Sequence, residues 1–256
     1  LKKQYITVND VIATSATFIN GGECIRLSIP EEVSPKRKLV FPLNVLFEDD
    51  YLAVLHKPAG ILVSGNSFKT ITNALAQNIS RSHLSDATTA QPVHRLDFST
   101  TGILLIGKTS RSIRALNKMF EQKEIKKTYY AVTIGEMDQQ GVITSEVDGK
   151  QSQSNYRLCE SVPSLRFGQL NLVQLAPPTG RRHQLRKHLA SIGNPILGDQ
   201  EYGFENLILK GKGLYLHAYG LKFIHPFTNK EIHLKDAFPE RFKKIFAERI
   251  NSFDLV

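Results

Sequence analysis

Three short stretches of this sequence hold the side chains best equipped for chemistry. In PVHRLDFSTTGILLIGK, Asp97 stands in a polar loop between Val93 and an apolar run that begins at Ile103, with His94 and Arg95 before it and Ser99, Thr100, Thr101 and Gly102 after it. A carboxylate in that setting either bonds the hydroxyls and amides of its own turn or acts on a substrate, and the second role needs a cation supplied from elsewhere. APPTGRRHQLRKHLASIGNPILGD has cations to supply: Arg181, Arg182, Arg186 and Lys187 crowd together with His183 and His188. A planar arginine fork suits carboxylates and phosphates alike. In EIKKTYYAVTIGE, Tyr129 and Tyr130 point to opposite faces of a strand, so one ring is expected in the core and the other is free to face a site. Beside a basic cluster, a free tyrosine ring is suited to stacking on an unpaired base.

The elements that must position these groups are readable from periodicity. Thr179 is placed to cap a helix that ends at Gly193 with Pro195 beyond it. At 100° per residue, Leu185, Leu189 and Ile192 form its buried strip, Arg182 and Arg186 lie along the margin, and Gln184, Lys187 and Ser191 face away. Arg186 is thus half turned toward the core, where an unpaired charge is costly and a carboxylate or phosphate partner is required. Alternating runs predict strands at 103–108, 129–134, 141–147, 153–159, 169–176 and 214–223, and VLFEDDYLAVLHKPAG reads as a hairpin turning at Asp49 and Asp50. Helices are expected over Thr70–Ile79, from a Ser110 cap through Ile113, Leu116, Met119 and Phe120, and from Pro239 to Ile250, with RSHLSDATTAQP as a loop. The fold class is therefore α+β, a largely antiparallel mixed central sheet with flanking helices. Residues 1–43 read as a small β-rich piece, with strands near Tyr5–Val8, Thr17–Ile19 and Cys24–Ile29, followed by a proline-containing linker over 31–43. Residues 44–256 read as the main domain.

The 256 residues carry 33 Lys and Arg against 24 Asp and Glu, a net charge of +9 that points to an anionic partner such as nucleic acid. With 41% hydrophobic residues, the chain can build a core, which excludes a disordered tail protein. Cys24 and Cys159 stand far apart without ligand spacing, so neither a disulfide framework nor a zinc site is expected. No apolar run approaches the roughly 18 residues of a membrane span, and the opening LKKQYITVND lacks a signal-peptide core. A cytoplasmic protein without a membrane partner is the expectation.

Taken together, the motifs resemble those of the RluA-type pseudouridine synthases. HRLDFSTTG at 94–102 is similar to the family's HRLDxxTSG motif, KTYYAV at 127–132 to its KxYxA motif, TGRRHQLRKHLASIGNPILGD at 179–199 to its third signature, and LHAYGLKFIHP at 216–226 to the strand that follows. The resemblance runs from about Val45 to Pro226. Thr101 stands where the family often has Ser, and Lys187 where it often has Val. The resemblance implies the pseudouridine synthase fold and the isomerisation of uridine to pseudouridine in RNA, with no cofactor and no metal. It implies Asp97 as the catalytic aspartate, which either attacks ribose C1′ or removes the 2′ proton, Arg186 as the arginine paired with it, and Tyr129 as the ring packed on the target uracil, which also helps the C5 proton leave. His94 and Arg95 are then implied to fill the gap left by a flipped base. Arg181, Arg182 and His183 would hold the backbone, with Lys127 as a further RNA contact. The N-terminal piece looks like the second half of a small ribosomal-protein-type RNA-binding module without its leading helices, or else a β-flap. Ribosomal RNA of the large subunit is the favoured substrate, transfer RNA the alternative, and a monomer the expected state.

Two other classes compete with the enzyme. A non-catalytic RNA-binding or ribosome-assembly protein would keep the fold but not the reaction, and the intact Asp97, Tyr129 and Arg186 set argues against it. A nucleic-acid hydrolase would need paired carboxylates for a metal, for which Glu48, Asp49 and Asp50 are the available trio, although they read more simply as a hairpin turn.

Overall fold

The structure, a computed structural model, describes residues 4–28, 39–209 and 211–253. The chain divides into two compact units, residues 1–38 and 39–256. In the first, β1 (Ile6–Val8) pairs antiparallel with β2 (Val11–Ile12) on one side and β3 (Ile25–Leu27) on the other. Thr17–Ile19, expected as a strand, has no ladder partner and belongs to the irregular connection between β2 and β3, which turns through Gly21 and Gly22. The linker expected at 31–43 lies outside the described residues up to residue 38.

The second unit is built on one ten-stranded sheet. The hairpin of β4 (Asn44–Glu48) and β5 (Leu52–Lys57) leads to α1 (Ile71–Asn78), then β6 (Ala87–Pro92), β7 (Thr101–Thr109), α2 (Ser110–Glu121) and β8 (Lys126–Ile134). There follow β9 (Gln140–Val147), β10 (Lys150–Ser164), β11 (Gly168–Ala176), α3 (Gln184–Ser191), β12 (Leu216–Ile224), β13 (Glu231–Lys235) and α4 (Glu240–Phe253). The order across the sheet is β4-β5-β7-β12-β8-β11-β10-β9, with β6 added on β7 and β13 on β12. The α+β expectation therefore holds, with one parallel pairing among otherwise antiparallel neighbours.

That parallel pairing, between β7 and β12, is a seam only two residues wide: His217 faces Thr101 and Ala218 faces Gly102. Gly102 has φ +118°, and a Cβ placed on it would lie 2.2 Å from the Ala218 carbonyl oxygen, so the strands meet this closely only because position 102 has no side chain. Side chains reinforce the seam. Thr101 Oγ1 and His217 Nδ1 are 2.9 Å apart, and His56 Nδ1 on β5 lies 2.5 Å from Asp236 Oδ2, just beyond β13.

Apolar side chains fill both faces of the sheet. Leu172, Val173, Leu189, Phe242, Phe246 and Ile250 are buried with Tyr130 in the largest cluster, while Leu55, Ile71, Leu104 and Ile106 form another with α1. Leu52, Ile103, Leu105 and Leu116 pack with α2 in a third.

Several boundaries differ from the sequence reading. Residues 87–92, expected as loop, form β6, an edge strand paired only to β7 with an irregularity between Ala87 and Gln91. Its sequence is polar because none of its residues is buried, and Thr89 and Gln91 are exposed. Thr109, not Ser110, caps α2: its hydroxyl accepts from the Ser112 amide at 3.1 Å while the Ser112 hydroxyl accepts from the Thr109 amide. The helix expected from Thr179 begins only at Gln184, because His183 takes a left-handed conformation (φ 55°, ψ 20°) immediately before it. Ile192, expected in its buried strip, is exposed beyond the last turn, and Gln184, expected outside, is buried.

Candidate active site

The loop carrying Asp97 is fastened from both ends. Leu96 is buried in the α1 cluster, and the Thr100 amide donates to the Asp97 carbonyl at 3.2 Å, closing a turn over the carboxylate. From below, the fully buried Lys57 Nζ donates to the carbonyls of Thr100 (2.8 Å), Pro58 (3.0 Å) and Phe98 (3.3 Å). Burial brings the Lys57 ammonium down to about 8, and the Asp97 charge opposes that shift. Sequence reasoning missed Lys57. Its signal was a lysine closing the otherwise apolar run LAVLHK before a Pro-Ala-Gly turn.

The Asp97 side chain, one quarter exposed, lies between two possible donors. His183 Nε2 is 3.8 Å from its Oδ1, and Arg186 Nη1 is 3.9 Å from its Oδ2. The expected pairing of Arg186 with Asp97 is thus looser than a hydrogen bond. The tight partner of Arg186 is Asp199, gripped by Nε at 2.7 Å and by Nη2 at 2.8 Å, with Glu201 at 3.2 Å on Nη2. Burial alone would raise the Asp199 carboxyl, but the bonds and charge of Arg186 and the amides of Glu201 and Tyr202 outweigh it and hold the carboxyl below its ordinary value. For Arg186, burial pulls the guanidinium down, and Asp199, Asp97 and Glu201 more than compensate. The geometry fixes the cation on one carboxylate and leaves the oxygens of the other unspent.

Tyr129 projects from β8 against two core clusters and into the cavity beside Asp97, whereas Tyr130, on the opposite face, meets Tyr219 and Phe238 edge-on at 5.0 and 4.8 Å. Burial first, and the Asp97 charge second, push the Tyr129 hydroxyl well above its ordinary range, so it stays protonated. Lys127, two residues earlier on the same strand face, donates to the Thr179 carbonyl at 3.2 Å, and burial lowers it to about 8. Gln184 ties the cavity wall together. Its Oε1 accepts from the Thr179 hydroxyl (2.8 Å) and the Arg181 amide (3.0 Å), while its Nε2 donates to the Gln153 carbonyl (2.8 Å) and to Ser154 Oγ (3.0 Å). Thr179, expected as a helix cap, spends its hydroxyl on this wall instead.

These residues enclose a cavity of about 90 Å³ lined by Asp97, Tyr129, Lys127, Arg181, His183 and Arg186 among others. It adjoins a groove of about 1460 Å³ along α2, lined by Arg95, Arg181 and Lys127 and by Arg114, Asn117, Lys118 and Lys123. The α2 cations were not singled out from sequence, although they are the polar face opposite Leu116 and Met119. Arg182 is exposed and lies outside the lining of both spaces. His94 lines the groove, but its Nε2 accepts the Leu105 amide at 2.9 Å and its ring packs on Phe120 at 4.8 Å. Burial, with the nearby Lys127 charge, brings it down to about 3, so the ring is neutral and committed to the loop. Lys187 faces outward and pairs with Asp148 at 2.6 Å.

The acidic trio is spent elsewhere. Glu48 pairs with Lys108 at 2.7 Å, Asp49 Oδ1 accepts the Tyr51 and Leu52 amides, and Asp50 holds His83 at 3.0 Å. Among the described residues no group of three or more His, Cys, Asp or Glu side chains is placed to hold a metal ion.

Residues 51–191 match the family described as RNA pseudouridylate synthase. The chain is 30% identical over 266 residues to the ribosomal large subunit pseudouridine synthase D of Nitrosomonas europaea, covering 94% of this chain and 75% of that one. It is 27% identical to the tRNA pseudouridine synthase C of Vibrio parahaemolyticus, over 80% of this chain and 94% of the relative. Among solved structures, human RNA pseudouridylate synthase domain containing 4 is similar at a TM-score of 0.63 and 26% identity, covering 81% of this chain and 93% of that one.

Proposed function

This chain belongs to the RNA pseudouridylate synthase family and forms pseudouridine in RNA, and we propose that its substrate is large-subunit ribosomal RNA and that Asp97, Tyr129 and Arg186 carry the reaction. The reaction exchanges the C1′–N1 bond of uridine for a C1′–C5 bond and neither adds nor removes an atom, so it balances without a co-substrate. It requires an ionised carboxylate at the ribose, whether that group attacks C1′ or takes the 2′ proton. The observation that supports Asp97 most directly is the division of labour around Arg186: fixed on Asp199 at 2.7 Å, the guanidinium lends its charge to Asp97 at 3.9 Å without consuming its oxygens.

The uracil must leave its stack, turn and reattach, which suits a small closed cavity opening on a large groove. The Tyr129 ring offers that base a flat apolar surface. Arg95, Arg181 and Lys127 line the passage from groove to cavity, where phosphates of the flipped nucleotide would pass. Arg182 and His183 are carried as further backbone contacts, and His94 as a prop of the loop. No helix among the described residues is long and apolar enough to cross a membrane. An RNA substrate supports a cytoplasmic place of action, and a monomer is the proposed state.

The test is to incubate the purified protein, with EDTA and no nucleotide, on total RNA from cells lacking the gene, and to map carbodiimide-dependent reverse-transcription stops. New stops in large-subunit ribosomal RNA that vanish with Asp97→Asn are the expected result. Stops confined to transfer RNA establish the second reading, which the Vibrio parahaemolyticus relative supports. Retained binding with no stops on any RNA would overturn the catalytic assignment.

A further inference from the structure

The strand that carries Lys127 and Tyr129 to the groove has a second side. Along β8, β12 and β13 the ladders set Lys126 opposite Lys222 and Lys222 opposite His233, and in the next row Thr128 opposite Gly220 and Gly220 opposite Lys235. Residues paired in this way share one face of a sheet. The residues between them in sequence point the other way: Lys127 lines the groove, and Leu221, Phe223, Ile232 and Leu234 pack in the cluster with α2. Lys126, Lys222, His233 and Lys235 are exposed, and none of them lines the groove or the cavity.

This arrangement costs the fold something. Lys126 stands directly across from Lys222, and like charges at opposed positions destabilise a ladder. Glu231 holds Lys222 at 3.1 Å, but the side chains of Lys126 and Lys235 have no hydrogen bond or ion pair among the described residues. Strand alternation asks only that such positions be polar. The outer strands β6 and β9 meet that demand largely with other residues, exposing Thr89 and Gln91 in the first and Gln140, Thr144 and Glu146 in the second. Nor does protection of an exposed edge ask for one sign, since a charge of either sign deters pairing with another chain. A face that accepts repulsion between neighbouring lysines is matched to a partner that supplies the opposite charge many times over, and the RNA on which this enzyme acts is such a partner.

We propose that the exposed face of β8, β12 and β13 is a second docking surface for RNA phosphates, separate from the catalytic groove, with Lys126, Lys222 and Lys235 as its contacts. It rests on RNA as the substrate and on no assignment of the catalytic residues. Neighbouring strands stand about 4.8 Å apart, so Lys126 and Lys222 can close on one phosphate from two sides while Lys235 reaches another. Contacts of this kind position an RNA without reading its sequence. Because the groove and the lysine face lie on opposite sides of one sheet, a short stem-loop that fills the groove does not touch both. The second surface is reached by a distant part of a large folded RNA or by a second RNA molecule.

The experiment uses the full chain and the RNA in which pseudouridine is mapped, both as the whole transcript and as the stem-loop around the modified uridine. Lys126→Glu turns a like-charged pair into an opposite one, so its urea midpoint should hold or rise while its affinity for the whole transcript falls. With Lys126→Gln, Lys222→Gln and Lys235→Gln combined, affinity for the whole transcript should drop on the order of 10-fold at moderate salt, and the log–log salt slope should flatten by about 2. Affinity for the stem-loop and the single-turnover rate at saturating RNA should keep their wild-type values. A labelled second RNA that joins the stem-loop complex of the wild type and not that of the variant assigns the surface to a separate molecule; a loss on the whole transcript without such uptake assigns it to a distant part of the same one. Wild-type affinity and slope on the whole transcript, with no difference in uptake of a second RNA, overturn the proposal. An equal loss on transcript and stem-loop overturns it too, because the lysines would then act through the groove. If no RNA gains pseudouridine, the function proposed above fails, and the same comparison on the whole large-subunit transcript still decides this surface.

Discussion

Arg186 grips Asp199 through Nε and Nη2, at 2.7 and 2.8 Å, and keeps a third nitrogen 3.9 Å from Asp97. Asp199 is therefore as necessary to the site as Arg186. Asp199→Asn keeps the shape but leaves a buried guanidinium short of a charge, and the expected cost is about 3–5 kcal/mol of stability together with loss of activity. The sign of the pH dependence follows from the lowered carboxyl of Asp199. The contribution of the pair is whole above about pH 4 and is lost as pH falls through the still lower folded-state value. Urea midpoints of wild type and Asp199→Asn should thus differ at neutral pH and converge in acid; a gap that persists at low pH would refute the linkage.

Arg186→Ala should abolish turnover more than binding, since it strands the buried Asp199 carboxylate and removes the cation beside Asp97. Single-turnover rates and filter-binding affinities separate the two effects. An affinity loss with normal turnover would reassign Arg186 to phosphate binding.

Lys57 is expected to govern the loop rather than the chemistry. Lys57→Met removes the donor to three carbonyls at a cost of about 1.5–3 kcal/mol per charged bond, partly recovered because no ammonium is then buried. Burial lowers the folded-state ammonium to about 8, so between there and the unfolded-state value the unfolded chain binds more protons, and wild-type stability should rise with pH relative to Lys57→Met. Parallel stability curves for the two proteins across that window would contradict the placement.

The cations of α2 and the turn after it should behave as phosphate contacts. Replacing Arg114, Lys118 or Lys123 by Ala should weaken RNA binding and flatten its salt dependence by about 0.7 in the log–log slope per contact, with the single-turnover rate unchanged at saturation. Lys187→Ala should leave the slope nearly untouched, because its ammonium already pairs with Asp148 on the surface. A steep loss with Lys187→Ala would place RNA on a face where the groove does not run.

Tyr129→Phe keeps a ring for the uracil and should retain more binding than Tyr129→Ala, which forfeits about 1–3 kcal/mol of stacking. Equal effects of the two variants would assign the residue's importance to its hydroxyl instead.

Much of this site was legible before any coordinates. Asp97 and Tyr129 were singled out by the resemblance of their motifs: the polar loop before a buried strand left a carboxylate bonding its own turn equally open, and strand alternation sent one of Tyr129 and Tyr130 inward without saying which. Helical periodicity turned Arg186 toward the core and demanded a partner for it. The identity of that partner was not legible. Asp199 lies 13 residues on, past the Gly-Asn-Pro turn, and helix geometry says nothing about where the chain returns. The late start of α3 was hidden for a similar reason: Thr179 has the chemistry of a cap, yet Gln153 and Gln184 claim its hydroxyl through tertiary contacts. Strand β6 escaped notice because an edge strand beside solvent need not be apolar. Lys57 escaped because a lysine in an apolar run is read as a strand end, and two of the three carbonyls that cage it, those of Phe98 and Thr100, lie on a loop remote in sequence.

The seam between β7 and β12 gives the molecule an acid-sensitive joint. The halves of the large sheet meet there through two residue pairs, reinforced by Thr101 with His217 and by His56 with Asp236. Burial, set against the attraction of Asp236, holds the His217 ring neutral down to about 4. An unfolded histidine takes up its proton near pH 6.5, so every step of acidification between these values favours opening. Mild acid should therefore weaken the joint where Thr101 meets the strand that faces it, four residues downstream of Asp97.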